Sequence, residues 1–150
     1  MDEVGRRRKP KPTARTDDGA ASVIYGIGID LVRISRIDAA IGRHGRRFAE
    51  RILSEHELAG YAASRHKAGF TAKHFAAKEA LLKALGTGLR MGIQWRHMEV
   101  RKDALGKPYF VCSGRVQELF DEHAIAASFL SISDEDEYAA AFVTLVCRRV

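Results

Sequence analysis

The stretch "VIYGIGID", residues 23–30, alternates as a β-strand does. Val23, Tyr25, Ile27 and Ile29 fall on one face, and Ile24, Gly26, Gly28 and Asp30 on the other. Two glycines inside a strand weaken it and mark a place where a ligand or another backbone comes close. The strand therefore offers a cleared shelf that ends in a carboxylate. Asp30 either caps the helix that follows or serves a ligand. Ser35, with Asp38 three residues later, is better placed for the cap. The glycines are not a dinucleotide fingerprint, because the third glycine of that pattern is missing.

Upstream of this strand the composition changes. Residues 1–22 hold two of the three prolines, six basic and four acidic residues, and only scattered apolar ones. They are expected to form a disordered basic tail, leaving residues 23–150 as a single domain. Downstream, a helix is predicted over 35–44, a second from the capping box of Ser54 and Glu57, and a third and strongest over 71–85. Two strands, 97–102 and 107–113, precede a fourth helix over 114–123. A last hairpin pairs 128–133 with 138–146 across the acidic turn 134–137. Helices and strands mix without strict alternation, so the expected fold is α+β with a mostly antiparallel sheet.

The chain has 150 residues and a formal net charge of +6, of which the tail supplies +2. A basic chain meets acidic partners: nucleic acid, anionic lipid, phosphorylated ligands or acidic proteins. No apolar run is long enough to span a membrane. Two isolated cysteines, Cys112 and Cys147, argue against a disulfide scaffold and fit a cytoplasmic location.

The third helix carries "FAAKEALLKALGTG", residues 75–88, with Glu79 amid its apolar positions. Ala72, Phe75, Ala76 and Leu82 flank it, so the carboxylate needs a cation. That cation is either Lys83, one turn on, or a metal. Gly86, Thr87 and Gly88 follow as a glycine cap or as a loop that cradles a phosphate or pantetheine arm. Two carboxylates, a lysine and a glycine loop suit Mg²⁺-assisted phosphoryl transfer.

"GIGIDLVRISRI" at 26–37 and "FAAKEALLKALGTG" at 75–88 resemble the two signatures of the holo-acyl-carrier-protein synthases, a 4′-phosphopantetheinyl transferase family. "LGKP" at 105–108 and "SISDEDEYAAA" at 131–141 are similar to further family segments. The resemblance implies transfer of the 4′-phosphopantetheine arm of coenzyme A to a serine of an apo-acyl carrier protein, with Mg²⁺, releasing adenosine 3′,5′-bisphosphate. It implies a homotrimer with active sites between subunits. It gives Asp30 and Glu79 as metal ligands and catalytic residues, and Lys83 as catalytic and coenzyme-binding. Gly86, Thr87 and Gly88 become the coenzyme A loop, and Arg36 a docking residue for the acidic carrier. Arg33, Arg43, Arg46, Arg47 and Arg51 extend the basic surface near Arg36. Two positions depart from the family pattern: Phe129 stands where a histidine is common, and Gly69 where an arginine is common. The rival readings are a basic nucleic-acid-binding module, without any recognised motif for it, and a catalytically inactive trimer of the same fold.

Overall fold

Strand β1 (Ser22–Arg33) forms where the alternation is clearest, and it runs three residues beyond Asp30. The computed structural model describes residues 22–148; the expected tail falls outside them. Asp30 is thus interior to β1, not its last residue. A bulge between Ile24 and Gly26 shifts the register, because an extra residue on one strand leaves one side chain unpaired. The bulge corrects the faces read from strict alternation. Ile24 joins Ile27, Ile29 and Leu31 on the outward face, while Gly26, Gly28, Asp30 and Val32 face inward.

After β1 come α1 (Ile34–His44), α2 (Arg46–Ile52), α3 (Glu55–Ala63) and α4 (Lys67–Leu85). The hairpin β2 (Met98–Lys102) and β3 (Pro108–Cys112) follows, then α5 (Gly114–Glu122), β4 (Ile125–Asp134) and β5 (Tyr138–Arg148). Ser35 lies within α1 and does not cap it; Arg33 holds that position without a side-chain bond. The Ser54 capping box is formed, with Ser54 and Glu57 each accepting from the other's amide. Two helical features were not expected. Gly45, at φ 60°, breaks the chain so that the arginine-rich stretch after it becomes α2. Lys67 donates to the carbonyls of Tyr61, Ala62 and Ser64 at the end of α3, so α4 starts at Lys67 and not at Thr71.

Every strand pair is antiparallel, in a three-stranded sheet of order β1-β5-β4 and a separate β2-β3 hairpin. This is the expected α+β class. Helix α4 lies across the inward face of the larger sheet. Its neighbours there are small: Gly26 and Gly28 on β1, Ala139 and Ala141 on β5. A Cβ at Gly28 would overlap the Ala80 carbonyl, and one at Gly26 the Ala84 carbonyl. The glycine shelf therefore receives a helix backbone, one of the two uses its glycines allow. Leu81, Leu82, Val143, Leu145, Leu119 and Met98 fill the core around this contact. Among the described residues no helix is long and apolar enough to cross a membrane.

Candidate active site

The close approach of α4 to β1 puts Glu79 opposite Asp30. Asp30 and Glu79 line one cavity of about 670 Å³ between α1, β1 and α4. Phe48 and Phe75 supply apolar wall, and Arg36 and Arg43 of α1 supply positive charge. Lys83 donates to Asp30 Oδ1 at 2.9 Å and to the Ile29 carbonyl at 2.9 Å. The lysine thus answers the Asp30 carboxylate across the shelf instead of pairing with Glu79 along its own helix.

That leaves Glu79 as a carboxylate with no hydrogen-bond donor among the described residues. Its burial, and then the charge of Asp30, push its carboxyl above the usual carboxylate range, with Lys83 pulling it partly back. A cation set between Asp30 and Glu79 would relieve both costs. Hard oxygen donors of this kind suit Mg²⁺, which takes one or two carboxylates and completes its shell with water and phosphate oxygens. No group of three or more His, Cys, Asp or Glu side chains among the described residues is placed to hold a metal, so among those residues Asp30 and Glu79 are the side chains available to one here.

Gly86, Thr87 and Gly88 do not line this cavity. Gly86 caps α4 in the left-handed conformation, φ 78°, and its amide donates to Leu82 and Lys83. The Thr87 amide also bonds Leu82, at 3.3 Å. Two of the loop's amides are therefore spent on the helix end, as the cap reading expects. A ligand would meet the Gly88 amide or the Thr87 hydroxyl, which now donates to the Gly88 carbonyl.

Of the two departures from the family pattern, Phe129 stands on the outward face of the sheet, in a row with Ile27 and Thr144. Gly69 lies in the first turn of α4, beside a wide cleft of about 1000 Å³ shared with Arg65, His66 and Asp134. A Cβ there meets only His66 Cβ, at 3.9 Å, so the glycine leaves open space and not a backbone contact.

One group escaped the sequence reading. Lys78, next to Glu79, is fully buried and bonded to Glu57 at 2.7 Å. A signal existed, since a lysine among alanines on a buried helix must find an acid. The capping box had already given Glu57 another use.

Residues 26–143 match the 4′-phosphopantetheinyl transferase superfamily. With the antiparallel fold, that match shows the class: the chain belongs to the 4′-phosphopantetheinyl transferase superfamily. Within it, the chain is an enzyme of the holo-[acyl-carrier-protein] synthase kind. The synthase of Nitrosospira multiformis is 49% identical over 123 residues, which are 82% of this chain and 98% of that protein. The crystal structure of the synthase from Neisseria meningitidis superposes with a TM-score of 0.78 at 40% identity, covering 82% of this chain and 98% of that one. The Helicobacter pylori synthase, solved in complex with coenzyme A, gives a TM-score of 0.69 at 32% identity over 79% of this chain and 98% of that one.

Proposed function

We propose that this enzyme moves the 4′-phosphopantetheine arm of coenzyme A to a serine of an apo-acyl carrier protein, with Mg²⁺, releasing adenosine 3′,5′-bisphosphate. The observation that carries this is the Asp30–Glu79 pair lining one cavity with Arg36 and Arg43, with Lys83 docked on Asp30. The coenzyme A complex of the Helicobacter pylori relative supports the donor.

In the reaction the serine Oγ–H bond breaks and its proton passes to water, a bond from Oγ to phosphorus forms, and the P–O bond to the adenosine 3′,5′-bisphosphate breaks with its electron pair leaving on the bisphosphate oxygen. Bound Mg²⁺ supplies charge neutralisation at the diphosphate. Asp30 and Glu79 are the side chains that would hold it. Lys83, half-exposed on Asp30, is free to turn its remaining proton toward phosphate oxygens and to offset charge on the leaving group. Phe48 and Phe75 keep water from one wall of the cavity, which strengthens these charges. Arg36 and Arg43 line the cavity and suit an acidic carrier. Thr87 and Gly88, past the end of α4, extend the site for the pantetheine or nucleotide end.

Assembly belongs to the same reading. Ile24, Ile27, Ile29 and Leu31 are 59–65% exposed, and Phe129 and Phe142 extend the same apolar face. A contiguous apolar sheet face of this kind is unusual on a monomer. We place the subunit contacts of a homotrimer here, in a cytoplasmic enzyme. Incubation with coenzyme A, MgCl₂ and apo-carrier protein, followed by mass spectrometry, tests the activity. The carrier is expected to gain one phosphopantetheine on one serine. An unmodified carrier under conditions where a known synthase modifies it overturns the reading.

A further inference from the structure

Lys78 and Glu57 have side chains with no exposure at all. The ammonium uses its three protons on the Ile52 carbonyl at 2.6 Å, Glu57 Oε2 at 2.7 Å and the Trp95 carbonyl at 3.3 Å. Glu57 is equally committed. Its Oε2 also accepts from the Ser54 amide, and its Oε1 from the Val100 amide at 2.7 Å. The end of α2 and the turn before β2 thus meet Lys78 of α4, the residue before Glu79, while the start of α3 and β2 reach it through Glu57.

A buried ion pair is a poor device for stability. Apolar replacements of such pairs are often neutral or stabilising. Its use here is directional. Helix α4 is buried nearly all round, by Thr71, Ala72, Ala76, Ala77, Ala80 and Leu81 among others. A helix that is apolar on every side has no single stripe to set its rotation. The alanine surface against the glycine shelf fixes how close α4 comes, but small residues do little to fix how it is turned. The Lys83–Asp30 pair is half-exposed and weak.

We propose that the Lys78–Glu57 pair is the positioning device of this site: it sets the rotation of α4 so that Glu79 and Lys83 stand over Asp30. Neither residue touches substrate. The proposal rests on the phosphopantetheinyl transfer reading and on Asp30 and Glu79 as the Mg²⁺ ligands.

The test is the double variant Lys78→Met/Glu57→Gln, with the single Lys78→Met beside it. Mg²⁺ binding is followed by the fluorescence of Trp95, the sole tryptophan. Its ring lies tilted, with centroids 5.4 Å apart, against Phe75, which lines the Asp30–Glu79 cavity. Folding is checked by circular dichroism. The expected result is a folded double variant whose kcat falls by about 10-fold and whose Mg²⁺ midpoint rises by about 10-fold, the scale of lost support behind metal ligands. KM for coenzyme A should change less. A folded double variant with wild-type kcat and Mg²⁺ midpoint overturns the positioning role. Should the double variant fail to fold, the single Lys78→Met, which strands no cation and leaves Glu57 its Ser54 and Val100 amide donors, decides by the same two numbers. The underlying reading fails separately: a wild-type chain that neither transfers the arm nor answers Mg²⁺ sinks it, whatever the variants do.

Discussion

Glu79 accepts no hydrogen bond among the described residues and sits near a second carboxylate. Its carboxyl is held above the ordinary glutamate value of 4.5. The folded state therefore binds this proton more tightly than the unfolded chain does. The advantage is present at low pH and is lost as pH rises through the raised folded value. At neutral pH the ionised group costs stability unless a cation answers it. Glu79→Gln should thus raise the melting temperature of the metal-free protein by a few degrees at neutral pH, and the gain should vanish toward acid. Scanning calorimetry at several pH values checks this. The same variant should lose transfer by roughly 100-fold, as expected when a metal ligand goes. Asp30→Asn should behave alike in transfer, and the double variant should be little worse than either single, because the two act as a unit. Mg²⁺ should raise the melting temperature of the wild type and leave the double variant unmoved. Near-wild-type turnover in Glu79→Gln would return the residue to a passive place on its helix. Cys112, by contrast, is half-buried and packs against the core. Its thiol is pushed up to about 12 by that burial, so neutral alkylating reagents should leave it unmodified in the native protein.

At the scale of elements, the site depends on how closely α4 lies on β1. Gly28→Ala puts a methyl group into the Ala80 carbonyl, and backbone on both sides leaves little room to yield. The helix must move out, at a cost of about 1–3 kcal/mol by the usual overpacking scale. Because Asp30 and Glu79 face each other across this contact, the variant should lose Mg²⁺ response along with stability. Denaturant unfolding with and without Mg²⁺ measures both. Full Mg²⁺ stabilisation in Gly28→Ala would show that the shelf serves packing alone. Helix α1 bears on a different step. It brings Arg36 and Arg43 to the cavity wall, and such charge steers an acidic partner more than it binds a small donor. Arg36→Ala is expected to raise KM for the carrier by about 5-fold while KM for coenzyme A holds, and to flatten the loss of rate with added salt. Equal effects on the two substrates would count against docking.

At the scale of the whole molecule, the outward face of the sheet is the feature that a single chain leaves unused. Ile29→Lys changes a side chain that is 63% exposed in the monomer, so the fold should survive. Sedimentation should then show a lighter species than the wild type, and turnover should fall with it if subunits share their active sites. An unchanged mass would place the contacts elsewhere. Much of the architecture was legible beforehand, because period-2 alternation, capping boxes and glycine stops are local rules. The shelf of Gly26 and Gly28, the capping box at Ser54 and Glu57, and the antiparallel pairing of 128–133 with 138–146 all followed from neighbours in sequence. So did the candidate residues Asp30, Glu79 and Lys83, since a carboxylate on an apolar helix face demands a partner. The chain order could not say which partner. Lys83 was within reach of Glu79 along the helix, yet it bonds Asp30, 53 positions away, because β1 and α4 touch. The bulge that turned Ile24 outward, the arginine-rich α2 and the burial of Lys78 on Glu57 likewise depend on contacts between distant segments. Local pattern determined which elements form and which residues are candidates for the chemistry. Only the packing of α4 on a glycine strand decided who faces whom, because hydrogen bonds and charges act over a few ångströms in space and are blind to distance along the chain.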